Sequence, residues 1–396
     1  MSRSFVGGVR STRAHLGLFG LALACVASLP SCGGDSSPGL DTSRPPRVSL
    51  TGSIPQRLSE YNLLAYDGDG QFRYNDRVVP YDLNTPLFTD YALKDRAIYV
   101  PEGSSATYTD EGVFDFPVGS VLIKSFSVAA DLRTPDVDVT LVETRLLIRY
   151  EDGWRAFPYV WDAAQREAIY SPAGEVRAVP FIDADGVSQV ANYLIPQRNQ
   201  CLSCHERRVD GVTLTMPIGP KARNLNRDYD YGVDGGVQNQ LTRLAAEGLL
   251  SGLPSLAEVD AAYAFAGIEA NGVGSLTGAE LDDAARSYLD VNCAHCHNPN
   301  GVQGVTSQLF LNYDNTDDFR LGLCKRPGSA GSGTGGFTFD ILPGNPDESI
   351  LIFRVETEEV GAMMPLLGRS LQHRHGAELL RAWVAEMPAN DCSAAP

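Results

Sequence analysis

The sequence is short of basic residues, with 32 Lys and Arg against 49 Asp and Glu and a formal net charge of −17. Nucleic-acid binding depends on Lys and Arg contacts to phosphates, so this balance excludes nucleic acid as the default partner. The 8 cysteines in 396 residues are too few for a miniature domain held together by disulfides. Beyond the N-terminal leader no apolar run is long enough for a transmembrane helix. With 43% hydrophobic residues, the chain has the composition of a globular protein of two or three domains.

The first 31 residues have the pattern of an export signal, with three arginines ahead of an apolar run over residues 16–26. Leu29-Pro30-Ser31-Cys32 then resembles the lipobox of bacterial lipoproteins, where cleavage leaves a lipidated Cys32. An ordinary signal peptide cut nearby is the alternative, and Ala22-Leu23-Ala24-Cys25 is a second candidate lipobox. Residues 32–49, rich in Ser, Gly, Pro and Asp, are expected to form a flexible tether. We therefore expect an exported lipoprotein, tethered to a membrane and facing the periplasm or the cell surface.

Two copies of one cysteine motif dominate the rest of the sequence. Cys201-Leu202-Ser203-Cys204-His205 and Cys293-Ala294-His295-Cys296-His297 both have the C-x-x-C-H spacing that attaches c-type haem. The two thiols add to the haem vinyl groups, and the following histidine, His205 or His297, binds the iron. A thioredoxin-like redox pair or a zinc site are the alternatives, but a redox pair does not need the histidine. The sequence thus predicts two covalently bound haem c groups, with iron as the metal.

The second haem has a plausible sixth iron ligand in Met364. Met364-Pro365 precedes the last predicted helix and resembles the Met-Pro loop of mono-haem cytochromes c. A methionine ligand raises the reduction potential and fills the coordination sphere, which suits electron transfer. Met363 and His373 remain the alternative ligands.

The first haem has no equally good ligand. Met216 is the nearest sulfur, but it follows His205 so closely that its side chain can hardly reach the opposite face of a haem. We expect Met216 to be a core or rim residue and keep it as the alternative metal ligand. A ligand from elsewhere, such as His373 or His375, or an open iron site, also stays possible on the sequence alone. His295, inside the second motif, is expected to be a rim residue.

Strand and helix patterns divide the chain after the tether. Residues 50–195 contain β-branched and aromatic runs bounded by Gly, Pro and Asp, which favour an antiparallel β-sandwich-like domain. Residues 196–275 form the first haem segment, and residues 276–396 are expected to form a cytochrome c domain around the second haem. Thr277-Gly278-Ala279-Glu280 has the pattern of a capping box ahead of an amphipathic helix. We therefore expect an α+β chain, with the β domain followed by mainly α-helical cytochrome c modules.

Cys324 and Cys392 are the cysteines outside the leader and the two motifs. Two remaining thiols in an oxidising compartment most often pair, so we expect a disulfide between them. Two free thiols are the alternative.

Several stretches resemble a family of exported bacterial dihaem c-type cytochromes whose members are largely uncharacterised. The similar stretches, besides the haem motifs, are residues 81–88, 116–119, 143–146, 219–226, 288–293 and Met364-Pro365. The resemblance implies a β-rich N-terminal domain followed by cytochrome c modules, and it implies no particular substrate or partner.

These patterns together predict an electron-carrying dihaem cytochrome rather than an enzyme that converts a substrate. The acidic composition favours a redox partner with a basic docking face. A peroxidase-like dihaem enzyme with an open first haem is the alternative, because the first motif lacks a clear sixth ligand. A third hypothesis makes the β domain a binding module for a partner dehydrogenase, with the haems connecting the two.

Overall fold

A six-stranded antiparallel sheet forms the centre of the computed structural model, which describes residues 39–68, 71–302 and 308–394. Its strands, in spatial order, are β3 (Val78–Tyr81), β4 (Leu93–Tyr99), β6 (Val121–Ala129), β7 (Val139–Tyr150), β8 (Gly153–Trp161) and β9 (Ala168–Tyr170). The three runs of β-branched and aromatic residues noted in the sequence are β6, β7 and β8. The described residues form one compact unit.

Both faces of this sheet are covered. On one face Ala97, Ile123 and Leu146 lie in register and pack into a core that includes Tyr61 and the N-terminal segments. On the other face residues of the same strands, such as Leu122, pack with the segments that follow the first motif. Burial on both sides explains why the strands read as nearly continuous apolar runs.

Short two-stranded sheets surround the central one. They pair β1 (Leu64–Tyr66) with β2 (Phe72–Tyr74), β10 (Glu175–Ile182) with β11 (Ser188–Ile195), β12 (Glu206–Val209) with β13 (Val212–Thr215), β14 (Asp228–Asp230) with β15 (Val237–Asn239), and, in parallel, β5 (Ala106–Thr107) with β16 (Leu250–Ser251). The β10–β11 ribbon packs against β6 and β7 through a small core around Phe126 and Tyr193.

The helices are short except near the C-terminal end. They are α1 (Leu202–His205), α2 (Ala222–Leu225), α3 (Gly232–Gly235), α4 (Gln240–Ala246), α5 (Ala266–Asn271), α6 (Gly278–Asn292), α7 (Asp318–Leu321), α8 (Ile350–Glu356) and α9 (Arg374–Glu386). Helices α6 and α9 pack on each other, and Trp383 Nε1 donates a 2.8 Å hydrogen bond to Asp282 Oδ1 between them. Helix α6 leads directly into the second motif.

The expected fold class is wrong. The part of the chain after residue 195 is not mainly α-helical, because it continues to form β ribbons and four-residue helices. The preceding part is one six-stranded sheet flanked by two-stranded sheets, not a sandwich of two comparable sheets. The ribbon strands Glu206–Val209 and Asp228–Asp230 are charged and lack an apolar alternation. Pairing across a tight ribbon, rather than a buried face, stabilises them, so the hydrophobic pattern did not reveal them.

The expected capping box at the start of α6 is also wrong. Thr277 is the N-cap residue, but its side chain makes no capping hydrogen bond. The Gly278 amide instead donates to the carboxylate of Glu386, at 2.9 and 3.0 Å, from the end of α9. A tertiary contact between the two helices therefore satisfies this amide.

None of the described helices is long and apolar enough to cross a bilayer. The expected signal peptide over residues 1–31, the lipidation site Cys32, the second candidate Cys25 and the first part of the tether lie outside the described residues.

Candidate functional site

The two C-x-x-C-H motifs meet in the fold. The Sγ atoms of Cys204 and Cys296 and a ring nitrogen of His295 all lie within 4.8 Å of one another. Cys296 Sγ is also 3.4 Å from the Ser203 carbonyl oxygen, although the two residues are 93 positions apart in the chain. The second cysteine of each motif thus faces the other motif.

Polar contacts on both sides of the motifs fix this meeting. Arg207, in β12, donates from Nη1 to Asn298 Oδ1 at 2.9 Å, directly after the second motif. Further along the chain, Lys221 Nζ lies 2.7 Å from the carboxylate of Asp290, in α6. The Asp290 side chain is only 4% exposed, so this ion pair is better shielded from water than a surface pair. The two motifs are therefore held together from outside the cysteine cluster.

His205 has the hydrogen bonding of an oriented metal ligand. Its Nδ1 lies 2.8 Å from the Met216 carbonyl oxygen, and the Met216 amide donates to the His205 carbonyl at 2.7 Å. Because a carbonyl only accepts, Nδ1 carries the proton and Nε2 is left available to a metal. Burial lowers the pKa of His205, so the ring is neutral at pH 7, the form that binds metals.

His297 is similarly buried and neutral. The second motif continues α6 with one more turn, in which the His297 amide donates to the Cys293 carbonyl at 3.0 Å. Burial, with a smaller contribution from the neighbouring charge of His295, lowers the pKa of His297 to about 4. A weak backbone interaction with Leu309 acts in the opposite direction. The neutral imidazole is again the form that binds metals.

One cavity collects the residues expected to bind the second haem. It has a volume of about 440 Å³, within the range of cofactor sites, and both cysteines of the second motif line it together with His297 and Met364. Half of the remaining lining residues have Val, Leu or Ile side chains: Val302, Leu309, Leu311, Leu321, Ile341, Ile350, Leu351, Val355, Leu366 and Leu367. Met363 is not among the described residues of this lining. Two thiols, an imidazole and a thioether around an apolar cavity fit a covalently bound haem with histidine and methionine ligands.

Met364 is held at this cavity through its backbone. Its amide donates to the Arg354 carbonyl at 2.8 Å, and Arg369 Nη2 donates to the same carbonyl at 3.0 Å. Arg354 in turn reaches the Gly333 carbonyl at 2.8 Å through Nε. The loop that carries Met364 is thus connected to α8 and to the segment ahead of it.

The first motif opens onto three cavities, since Ser203 and Cys204 also line the cavity at the second motif. Cys204 and His205 line a polar cavity of about 410 Å³ together with Met216. Cys201 instead lines a third cavity, beside Ala156 in β8. The residues for a first haem are therefore present but face different openings, and they fit the group less completely than those of the second motif.

Met216 lies on the His205 side of the first site. Its carbonyl accepts from the His205 ring, and its side chain packs against the core between the central sheet and residues 222–259. The Met216 side chain therefore packs against the core, as expected for a core or rim residue. The short connection to His205 keeps this side chain on the His205 side of the site.

The thiols of the meeting point differ in acidity. A hydrogen bond with Cys296 and the proximity of His295 lower the pKa of Cys204, against the opposing effect of burial. The same hydrogen bond and burial raise the pKa of Cys296. Burial alone raises the pKa of Cys293 to about 12. A thiolate at Cys204 beside an imidazole is the form that binds a metal ion.

His373 belongs to the core rather than to either motif. Its ring stacks on Phe88 with centroids 4.2 Å apart, and its Nδ1 lies 2.9 Å from the Tyr288 hydroxyl. Burial lowers its pKa to about 3. Neither His373 nor His375 is among the described residues that line the cavities at the motifs.

Cys324 and Cys392 form a disulfide, with their Cα atoms 5.2 Å apart. It joins the loop after the second motif to the C-terminal end, as the pairing of the two remaining thiols implied. The four motif cysteines form no disulfide with one another.

The sequence did not indicate that His295 and Ser203 lie at a meeting point of the two motifs. Nothing in a linear spacing reports a contact between segments this far apart. Comparisons with protein-family models, curated proteins and solved structures found no match.

Proposed function

We propose that this protein is an exported, membrane-anchored dihaem c-type cytochrome that transfers electrons outside the cytoplasm. One observation favours this function most: the two motifs meet, with the sulfurs of Cys204 and Cys296 within 4.8 Å. In c-type attachment these sulfurs bind the haem periphery, so two groups attached here would have adjoining edges. Electron exchange between two haems within one chain requires a short distance between the edges of the two haems.

The residues at each site have three roles: attachment of the haem, ligation of the iron and exclusion of water. Each haem, when bound, supplies a one-electron Fe(III)/Fe(II) couple. At the second site, Cys293 and Cys296 would attach the group, and His297 and Met364 would ligate the iron from the two sides. The aliphatic lining excludes water and favours the reduced, less charged state, as the methionine does. At the first site Cys201, Cys204 and His205 have the corresponding roles.

An open first site is the reason to keep a peroxidase-like function as the alternative. The Met216 carbonyl accepts a hydrogen bond from His205, and the Met216 side chain packs against the core. Met216 is therefore poorly placed to be the sixth ligand of the first haem iron. Carbon monoxide added to the reduced protein distinguishes the two functions. An electron carrier with two low-spin irons should show no spectral change, whereas an open iron should bind the gas.

A metal-ion site is a second candidate function, favoured by the cluster of Cys204, His295 and Cys296. Two thiolates and one imidazole are typical ligands of zinc, with a fourth position left for water. This site and haem attachment exclude each other, because both use the same two sulfurs. Metal analysis of the exported protein separates them, since one predicts zinc and the other iron.

The partner we propose is a redox protein with a basic docking face. The net charge of −17 would steer such a partner at low salt, and the association rate should fall as salt screens the charges. Anchoring at Cys32 would hold the protein at a membrane surface facing the periplasm or the cell exterior.

A redox titration tests the proposed adjacency. Each of two nearby haems should change the midpoint potential of the other. His297→Ala should therefore remove the redox transition of one haem and shift the midpoint potential of the other. His375→Ala, a histidine outside both cavities, is the matched control and should leave both potentials unchanged. Two centres that titrate independently in every variant would contradict the proposed electron exchange within the chain.

A further inference from the structure

Three cations lie side by side across the central sheet. Arg96 in β4 is directly opposite Lys124 in β6, and Lys124 is directly opposite Arg145 in β7. We call these three residues the cationic row. Like charges in directly opposite positions destabilise a sheet, so such a row needs a compensating anion.

The chain itself supplies less negative charge than this row needs. Arg145 donates to Glu143 at 2.9 Å, and Arg96 lies 3.0 Å from Asp82. Asp82 is shared, since Arg227 also lies 3.2 Å from its carboxylate. Lys124 has no carboxylate within ion-pair distance among the described residues, and its Nζ lies 4.8 Å from the centre of the Phe126 ring.

The other lysines of the chain show how unusual Lys124 is. Lys221 pairs with Asp290 at 2.7 Å, and Lys325 pairs with Asp340 at 3.1 Å. Lys94 donates to the Ala92 carbonyl at 2.7 Å. Burial and the neighbouring cations lower the pKa of Lys124 well below its ordinary value. An anion beside Lys124 would restore its charge and remove this cost.

The cationic row lies on the sheet face that the first motif covers. Cys201 lines a cavity with Ala156, which is opposite Leu147 in β7, two residues along that strand from Arg145. Arg198, just before the motif, donates to the Ala156 carbonyl at 3.1 Å. The charge of Lys124 also contributes to the lowered pKa of His205.

We propose that the cationic row binds the propionate carboxylates of a haem attached at Cys201 and Cys204. This rests on the proposed function. The propionates are the anionic groups of haem c, and a guanidinium–ammonium–guanidinium row offers them charge-assisted hydrogen bonds in a partly buried position. The row then has two effects: it orients the first haem, and it raises the reduction potential of that haem by keeping the propionates paired.

The test compares Lys124→Gln with the wild-type holoprotein by redox titration at several pH values. The variant should keep two haems, lower one midpoint potential more than the other, and make the more strongly lowered potential fall more steeply with pH near neutrality. The pH effect follows because a propionate without its cation has a higher pKa. Lys124→Arg should restore the wild-type behaviour. Arg177→Gln, which removes one positive charge from the β10–β11 ribbon, should change neither potential.

Each outcome decides the proposal. Two haems with unchanged potentials and unchanged pH dependence in Lys124→Gln would overturn the proposal and leave the proposed function intact. A wild-type protein without haem would overturn both. If added phosphate shifts the midpoint potential of the wild type but not that of Lys124→Gln, the cationic row binds a free anion. That result would also overturn the proposal. If Lys124→Gln does not fold, Arg96→Gln makes the same comparison.

Discussion

Cys204 and Cys296, which belong to two motifs far apart in the sequence, have their sulfur atoms within 4.8 Å of each other. The ion pair between Lys221 and Asp290 and the hydrogen bond from Arg207 to Asn298 hold the two segments in this arrangement. The proposed electron transfer and the alternative metal site both depend on this contact.

Replacement of Met364 by Ala should act mainly on the haem of the second motif. Met364 lines the cavity with His297, so its loss should abolish the sulfur–iron charge-transfer band and lower one midpoint potential. The measurement is an optical redox titration. Met363→Ala is the control and should keep the band. A band that survives in Met364→Ala would assign the sulfur ligand to another residue.

Replacement of Met216 by Ala should change stability rather than ligation. The half-buried Met216 side chain packs against the core beside the central sheet, so its truncation should cost about 1 kcal/mol in the free energy of unfolding. Its carbonyl, which orients His205, remains. The expected result is therefore a lower urea midpoint with an unchanged sulfur–iron band. Loss of that band would show that Met216 is an iron ligand.

His295→Ala distinguishes haem attachment from the metal-ion site. In a haem protein this histidine lies between the attachment cysteines without being needed for them, so the variant should keep two haems per chain. A zinc site built on Cys204, His295 and Cys296 would lose its metal. Metal analysis by mass spectrometry reports both results, and His297→Ala serves as the variant that should disturb the haem.

Acid should destabilise the fold through His373. Burial holds its pKa at about 3 against an ordinary 6.5, so the unfolded chain binds the extra proton between these values. The free energy of unfolding should fall as the pH drops below 6.5, by up to about 1.4 kcal/mol per pH unit from this group. His373→Gln should flatten the dependence in urea unfolding between pH 4 and 7. An equal slope in His373→Gln and wild type would contradict the assignment, and His375→Gln should retain the wild-type slope.

Removal of the disulfide should lower stability without preventing haem attachment. The bridge between Cys324 and Cys392 spans 68 positions, and a closed loop of that length is worth about 4 kcal/mol in the chain-entropy account. The double variant Cys324→Ala/Cys392→Ala should unfold at lower urea yet still bind two haems. Reduction of the wild type by a mild reductant should give the same midpoint, whereas an unchanged midpoint in both cases would contradict the expected contribution.

Local patterns predicted local features well. The amphipathic helix expected after Glu280 is α6, and its buried face includes Leu281, Ala284, Ala285 and Tyr288, because a helix places positions with this spacing on one side. The strands β6 to β8 were visible for a similar reason. The fold class was wrong, since charged ribbons such as Glu206–Val209 are stabilised by pairing and leave no hydrophobic signature.

In the candidate site too, the local features could be predicted from the sequence and the long-range contacts could not. The C-x-x-C-H spacing names both motifs from sequence, since each is a local unit. The meeting of the motifs depends on long-range contacts and has no local signal. Lys124 did leave a trace, because it interrupts the apolar run of β6, but its opposition to Arg96 and Arg145 follows only from the strand register.

The intact mass of the exported mature protein shows directly whether haem is attached to the two motifs. We expect a chain with two added haem groups, and one fewer in each of the variants Cys204→Ala and Cys296→Ala. The absorption spectrum of the same sample in alkaline pyridine should give two haem c per chain. A mature chain of unmodified mass that contains zinc and no haem would contradict the account.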